Sequence, residues 1–162
     1  MSNKKSPHLA FRIKYKGIAK ELVSESKIVN PLNNQRNKYK AIWDTWATNT
    51  VITPKVLKEL SLTIVDIATI VGVNSEPKHA KVALFNLLLP NSVSIKGVRG
   101  SVCTIGDDTD ILIGMDIIKF GDFAISNGGG QTLFSFAIPP FENKTDLLEK
   151  SNKTNRNNKL TK

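Results

Sequence analysis

The amino-acid sequence predicts a mainly β fold, closed as a barrel or sandwich, with one or two short helices. Short runs rich in β-branched and aromatic residues recur along most of the chain, and Gly, Pro and Asn separate them. The length of 162 residues suits about one domain, and 40% hydrophobic with 23% charged residues is ordinary for a globular protein. No apolar run approaches the ~18 residues of a membrane helix, so a membrane partner is not expected.

The first elements are strands followed by one short helix. Residues 11–16 alternate apolar and basic side chains, which is typical of a strand with one buried face. Residues 21–29 and 39–44 continue the extended pattern after turn-forming segments. Thr53 and Pro54 then predict a helix start, because Thr is a good N-cap and Pro suits the first helical position.

The second half of the chain is also mostly extended. Two β-rich runs predict a long hairpin, a further strand and a short buried strand follow, and a short helix precedes a final hairpin around Asn127-Gly128-Gly129-Gly130. In order, these elements are residues 62–73, 81–89, 93–105, 111–113, 114–120, 123–126 and 132–138.

The composition divides the chain into four segments. Residues 1–8 are polar and basic and predict a disordered N-terminus, and residues 9–37 predict an N-terminal β extension. Residues 38–141 carry the motifs described below and form the main domain. Residues 142–162 are almost all Asn, Lys, Thr and Ser, too polar to offset the entropy cost of ordering, so they predict a disordered basic tail.

The net charge of +9 is concentrated at the two ends of the chain. Residues 1–41 carry +8 and residues 142–162 carry +3, whereas residues 42–141 carry −2. The aromatic residues of the first strand fall on its apolar face, opposite the basic one, where they cannot serve as a stacking platform for bases. Nucleic acid is therefore not the expected partner, although a basic nucleic-acid-binding domain is the interpretation that charge alone would favour.

One segment carries recognisable chemistry. A hydrophobic strand ends in Asp44-Thr45-Trp46-Ala47-Thr48-Asn49, and Ile111-Leu112-Ile113-Gly114 follows, with Ile113 standing 69 positions after Asp44. This arrangement resembles the active site of retroviral-type (retropepsin-like) aspartic proteases, in which Asp-Thr-Gly-Ala follows a strand and an apolar-apolar-Gly motif opens the last helix. The ending, residues 121–140, is similar to that of bacterial members. The resemblance covers residues 38–141 and implies a retropepsin-like closed β-barrel.

The resemblance implies an endopeptidase acting on a peptide or protein substrate. Such hydrolysis needs two carboxylates that share one proton, so that one activates water while the other protonates the carbonyl oxygen. The chain supplies one candidate, Asp44, because Asp108-Thr109-Asp110 lies in a polar segment that is typical of a solvated turn. A C2 homodimer with two copies of Asp44 at its axis is therefore expected. The resemblance further implies that Thr45 bonds across this axis and supports the loop.

The resemblance also places a peptide groove beside Asp44. An extended peptide would pair its backbone with the active-site strands and with a hairpin flap above them. The floor residues would be Ala47, Thr48, Leu112 and Ile113, and the residues near the flap tip would be Val71, Gly72, Val73 and Asn74.

Trp46 departs from the family pattern, which has Gly at this position of the loop. A Gly suits close approach of the backbone to the carboxylate, whereas an indole adds roughly 200 Å² of surface where peptide must bind. Three hypotheses follow: an inactive relative that keeps the fold and a peptide groove, a local substitution in a protease-like chain, or an unusual active geometry. The sequence predicts absent or low activity, restored by Trp46→Gly.

Other chemistries find no support in the sequence. His8 and His79 lack the spacing of a metal motif, so no metal and no cofactor is expected. Cys103 is the single cysteine, which excludes an internal disulfide, and its apolar neighbours favour a small packing residue. With no apolar leader near Met1, a cytoplasmic location is predicted. The plainest alternative for Asp44 is a surface residue in the turn after a strand.

Overall fold

Strands in two sheets make up most of the fold. The computed structural model describes residues 7–70, 78–106 and 108–160. The strands are β1 (Leu9–Lys14), β2 (Val23–Val29), β3 (Arg36–Trp43), β4 (Val51–Ile52), β5 (Thr63–Ile70), β6 (Lys78–Leu88), β7 (Ser94–Val102), β8 (Ile111–Ile113), β9 (Asp122–Ser126) and β10 (Leu133–Ile138). The helices are α1 (Pro54–Glu59), α2 (Met115–Ile118) and α3 (Leu147–Leu160). The predicted mainly β class with few short helices is confirmed.

Six of the strands close a barrel. They are hydrogen-bonded in the order β2-β3-β8-β4-β7-β6, and pairing of β2 with the last residues of β6 completes the ring, while β5 pairs with the first part of β6. Alternate residues of each strand point inward, so the apolar half of each alternating pattern fills the interior. Fully buried side chains of this core include Ile28, Ile52, Phe85, Leu87 and Ile111.

The second sheet has the order β1-β10-β9 and packs its aromatic residues against the barrel. Trp43 is the centre of this contact, with its ring centroid 5.0 Å from that of Phe136 and 5.3 Å from that of Phe134. Its indole Nε1–H donates to Ser24 Oγ at 2.9 Å, which satisfies the polar atom of a buried side chain. The contact fixes the last residue of β3, directly before Asp44.

Residues 9–37, predicted as an N-terminal β extension, contribute one strand to each sheet. β1 pairs antiparallel with β10, and β2 pairs antiparallel with both β3 and β6. Buried Thr132 joins the connecting segment to the second sheet, because its Oγ1 accepts from the Ala19 N–H at 2.9 Å. These strands are therefore integral to the folded unit.

Helix α1 begins where the capping pattern predicts. The Thr53 side chain accepts from the Val56 N–H, Pro54 is the first helical residue, and Val56 is buried in the core.

The tail differs from its prediction in secondary structure. Residues 147–160 form α3, where disorder was expected, and every residue from 142 to 157 is exposed. The helix is stabilised locally: Asp146 Oδ1 accepts from the N–H groups of Leu148 and Glu149, and Lys153 pairs with Glu149 one turn away. The sequence contains these capping and ion-pair residues, but the polar composition of residues 142–162 favoured a prediction of disorder.

Among the described residues, no helix has the length and apolar character needed to cross a membrane.

Candidate active site

Asp44 lies at the end of β3, held beside a neighbouring strand. β3 and β8 run parallel, with Trp43 opposite Ile113, and the Asp44 N–H donates to the Ile113 carbonyl at 2.9 Å. The half-buried Asp44 side chain accepts a hydrogen bond from the Trp46 N–H, with Oδ1 2.8 Å from the nitrogen. The carboxylate is thus oriented by backbone rather than by a flexible side chain.

The Asp44 loop, residues 44–50, crosses the end of β8 and returns along its other side. β4 follows this loop and pairs antiparallel with β8, placing Val51 opposite Leu112 and Ile52 opposite Ile111. The three residues of β8 therefore separate the two strands that flank the loop.

Helix α2 holds the middle of the Asp44 loop through its first backbone N–H groups. Met115 N–H donates to the Ala47 carbonyl at 2.8 Å, and Asp116 N–H donates to the Thr48 carbonyl at 3.1 Å. A Cβ added at Gly114 would lie 2.7 Å from the Asn49 carbonyl carbon and oxygen. Only glycine permits this approach, which explains the Gly of the apolar-apolar-Gly motif.

A buried threonine completes the support of the loop. Thr50 is fully buried, and its Oγ1 donates to Asp116 Oδ1 at 2.8 Å and accepts from the Gly114 N–H at 3.3 Å. The sequence reasoning missed Thr50 and Asp116. They stand 66 positions apart, and the only local signal is an acidic residue in the first turn of a helix.

The predicted floor residues differ in what they expose. Ala47 and Leu112 are half-buried and Thr48 is exposed, so these three offer side-chain surface beside the loop. Ile113 does not: it is 0% exposed and packs in the barrel core, because the alternation along β8 turns its side chain inward. Its prediction as a floor residue is corrected, since its role is to hold Asp44 through its carbonyl.

The predicted flap residues Val71, Gly72, Val73 and Asn74 lie outside the described residues. β5 and β6, paired antiparallel with Ile70 opposite Lys78, lead toward and away from them.

Trp46 meets the backbone requirement that was expected to need glycine. The backbone φ of Trp46 is not positive. The described non-glycine residues that have a positive φ are Asn34, Ser61, Ser92 and Asp108. The Trp46 N–H still approaches the carboxylate, and its side chain is 85% exposed. Thr45 beside it is also exposed. The loop of a single chain therefore accommodates tryptophan, and the indole occupies space outside the chain's own core.

Asp110, at the end of the Asp108-Thr109-Asp110 segment, does not supply a second carboxylate beside Asp44. Asp110 N–H donates to the Lys40 carbonyl, so Asp110 lies at the opposite end of β8 from Asp44, roughly 10 Å along the strand. Its carboxylate binds Lys55 Nζ at 2.9 Å, and this ion pair raises the pKa of Lys55. Within the described ranges, no group of three or more His, Cys, Asp or Glu residues is arranged to hold a metal ion.

Comparison with known proteins identifies the class of fold. No protein-family model matches the chain, and no curated protein matches it. Among solved structures, a retropepsin-like aspartic protease from Rickettsia conorii aligns with a TM-score of 0.53 and 20% sequence identity. The alignment covers 83% of this chain and 97% of that one. The chain therefore has a retropepsin-like fold, as the closed barrel and the Asp44 loop together indicate.

Proposed function

We propose that the chain is an aspartic endopeptidase of retropepsin type that works as a C2 homodimer. The observation that carries the proposal is the placement of Asp44 at the end of β3, with its carboxylate oriented by the Trp46 N–H and its backbone held by β8. The retropepsin-like fold supports it, since the similar solved structure from Rickettsia conorii is that of an aspartic protease.

In the proposed mechanism, two Asp44 carboxylates share one proton across the dimer axis. The ionised carboxylate takes a proton from water, whose oxygen attacks the peptide carbonyl carbon while the protonated carboxyl donates to the carbonyl oxygen. The C–N bond then breaks as a proton passes to the leaving amine. By resemblance, Thr45 bonds across the axis and keeps the two loops rigid.

The proposed substrate is an extended segment of a peptide or protein. Its backbone would pair with the active-site strands and the flap, while alternate side chains lie against Ala47, Thr48 and Leu112. Val71, Gly72, Val73 and Asn74 are proposed to close over it.

A second candidate function is peptide binding or scaffolding. In this case the chain is a catalytically impaired relative of the proteases and acts as a dimer. The observation that favours it is the 85% exposed indole of Trp46, two residues after Asp44. An indole of this size beside the carboxylate occupies space that the scissile peptide bond needs, and a displacement of ~1 Å of the reacting groups costs ~100-fold in rate.

Cleavage assays on matched variants test both candidates. We expect absent or low peptide cleavage at acid pH by the natural chain and a gain of roughly 100-fold in Trp46→Gly, since the indole leaves the groove. Pepstatin should inhibit the gained activity, and adding Asp44→Asn should remove it. Asn keeps an oxygen that can accept from the backbone N–H of residue 46, so the loss would report the carboxylate chemistry.

Robust, pepstatin-sensitive cleavage by the natural chain would exclude the impaired candidate. If Trp46→Gly stays inactive while folded and dimeric, the endopeptidase proposal fails and the binding candidate remains.

A further inference from the structure

Trp46 has the largest exposed fraction, 85%, among the large hydrophobic side chains of the described residues. A single exposed apolar side chain needs no explanation by itself. This one lies within the Asp44 loop, directly before Ala47, whose carbonyl accepts from the N–H of exposed Met115.

The position of Trp46 relative to the carboxylate is fixed by the backbone. Its nitrogen lies 2.8 Å from Asp44 Oδ1, and α2 binds the next two residues of the loop through the Ala47 and Thr48 carbonyls. The backbone of Trp46 is therefore held beside Asp44, and its side chain extends into solvent from there.

The proposed mechanism requires a second copy of the chain to approach Asp44 and Trp46. Two carboxylates that share a proton lie within hydrogen-bond distance, about 2.5–3 Å. A second copy that brings its Asp44 this close to the first also comes within a few ångströms of Trp46. By two-fold symmetry, the two Trp46 side chains then occupy equivalent positions close to the same junction.

We propose that Trp46 is the anchor of self-association: its indole lies across the two-fold axis against a second copy of this chain. Buried aromatic anchors near the centre of an interface carry a large share of binding energy. The same indole then occupies the centre of the peptide groove, so association and low activity have one cause. The inference rests on the homodimer of the proposed function.

Sedimentation velocity of the full chain over a concentration series tests the inference. We expect the dissociation constant of the dimer to rise at least ~10-fold in Trp46→Ala and to change little in Trp46→Phe, which keeps an aromatic anchor. The matched control is Leu32→Ala. Leu32 is 73% exposed in the turn between β2 and β3, at the end of β3 away from Asp44, and its loss should not change the constant.

Tryptophan fluorescence provides a second readout that does not depend on hydrodynamics. The chain has two tryptophans, of which Trp43 is buried in the fold and Trp46 is exposed in the single chain. We expect the emission to shift to longer wavelength on dilution, as the indole of Trp46 returns to water. Trp46→Phe should abolish that shift.

The outcomes separate the inference from the function on which it rests. If Trp46→Ala dimerises as tightly as the natural chain, the inference is overturned while the homodimer stands. If the natural chain is monomeric at every concentration and its emission does not shift, the homodimer itself fails, and the inference fails with it.

Discussion

At the scale of single residues, Gly114 sets how closely α2 approaches the Asp44 loop. The backbone of Asn49 and Ala47 fills the space where a side chain would begin, with the Ala47 oxygen 2.8 Å from an added Cβ. Backbone atoms cannot move aside as the end of a flexible side chain can, and the Ala47 oxygen is also held by the Met115 N–H, so substitution must displace the loop.

Gly114→Ala should therefore destabilise the fold by about 1–3 kcal/mol, the usual cost of overpacking. Chemical denaturation measures the difference. The matched control is Gly17→Ala, because an added Cβ at Gly17 has no neighbour within 4 Å. Equal stability of the two variants would contradict the close packing of the loop against α2.

Tyr39 makes the stability of the barrel depend on pH in the alkaline range. It is buried, and its hydroxyl donates to Glu59 Oε2 at 2.8 Å. Burial raises the pKa of Tyr39, and the hydrogen bond to Glu59 raises it further. Above about pH 10 an unfolded tyrosine loses its proton while the folded one keeps it, so stability is complete below pH 10 and falls as pH rises further. The stability of Tyr39→Phe should fall less steeply from pH 10 to 11. Parallel unfolding curves for the two proteins would contradict this assignment.

At the scale of elements, α3 and α1 show two ways in which a helix is held. Thr53 caps α1 and Val56 buries one face of it, so local and tertiary interactions agree. Leu147 and Leu148, in contrast, are more than 70% exposed at the start of α3. Local capping and ion pairs contribute only tenths of a kcal/mol to about 1 kcal/mol each, so α3 adds little to the stability of the barrel.

A chain ending at Thr145 should keep the melting temperature of the full chain within ~2 °C, because the deleted residues bury no apolar side chain among those described. Differential scanning calorimetry of both chains at equal concentration makes the comparison. A loss of 5 °C or more would show that the tail packs on the folded unit or on a second copy.

At the scale of the whole molecule, the single chain supplies Asp44 as one carboxylate of the proposed acid dyad. Asp44 lies at one end of β8 and the Asp110–Lys55 ion pair lies at the other, so a single chain does not pair Asp44 with that carboxylate. A function that needs two carboxylates then depends on the concentration of the chain as well as on its folding.

Mixing subunits tests this dependence in the Trp46→Gly background. At fixed total concentration, an equal mixture with Asp44→Asn subunits should retain about one quarter of the activity, since only that share of randomly formed dimers has both carboxylates. Retention of one half would indicate that each chain acts alone. Size-exclusion chromatography of the mixture checks that both subunits enter dimers.

The periodicity of the sequence was sufficient for the class of fold and for most strands. Alternation of apolar residues predicts strands because each strand buries one face, and the residues Thr53 and Pro54 predict the start of α1. The motif around Asp44 located the candidate site. The inward face of Ile113 was missed, since a run of three apolar residues has no alternation from which to tell its faces.

The sequence by itself determined the mainly β architecture and the position of Asp44 after a strand, because alternation and turn residues act over a few positions. Only the tertiary structure decided that Thr50 and Asp116 meet, that Ile113 faces the core and that Trp46 faces solvent. These outcomes depend on how β3, β4 and α2 assemble around β8, and contacts between residues far apart in the chain leave no periodic signal in the sequence.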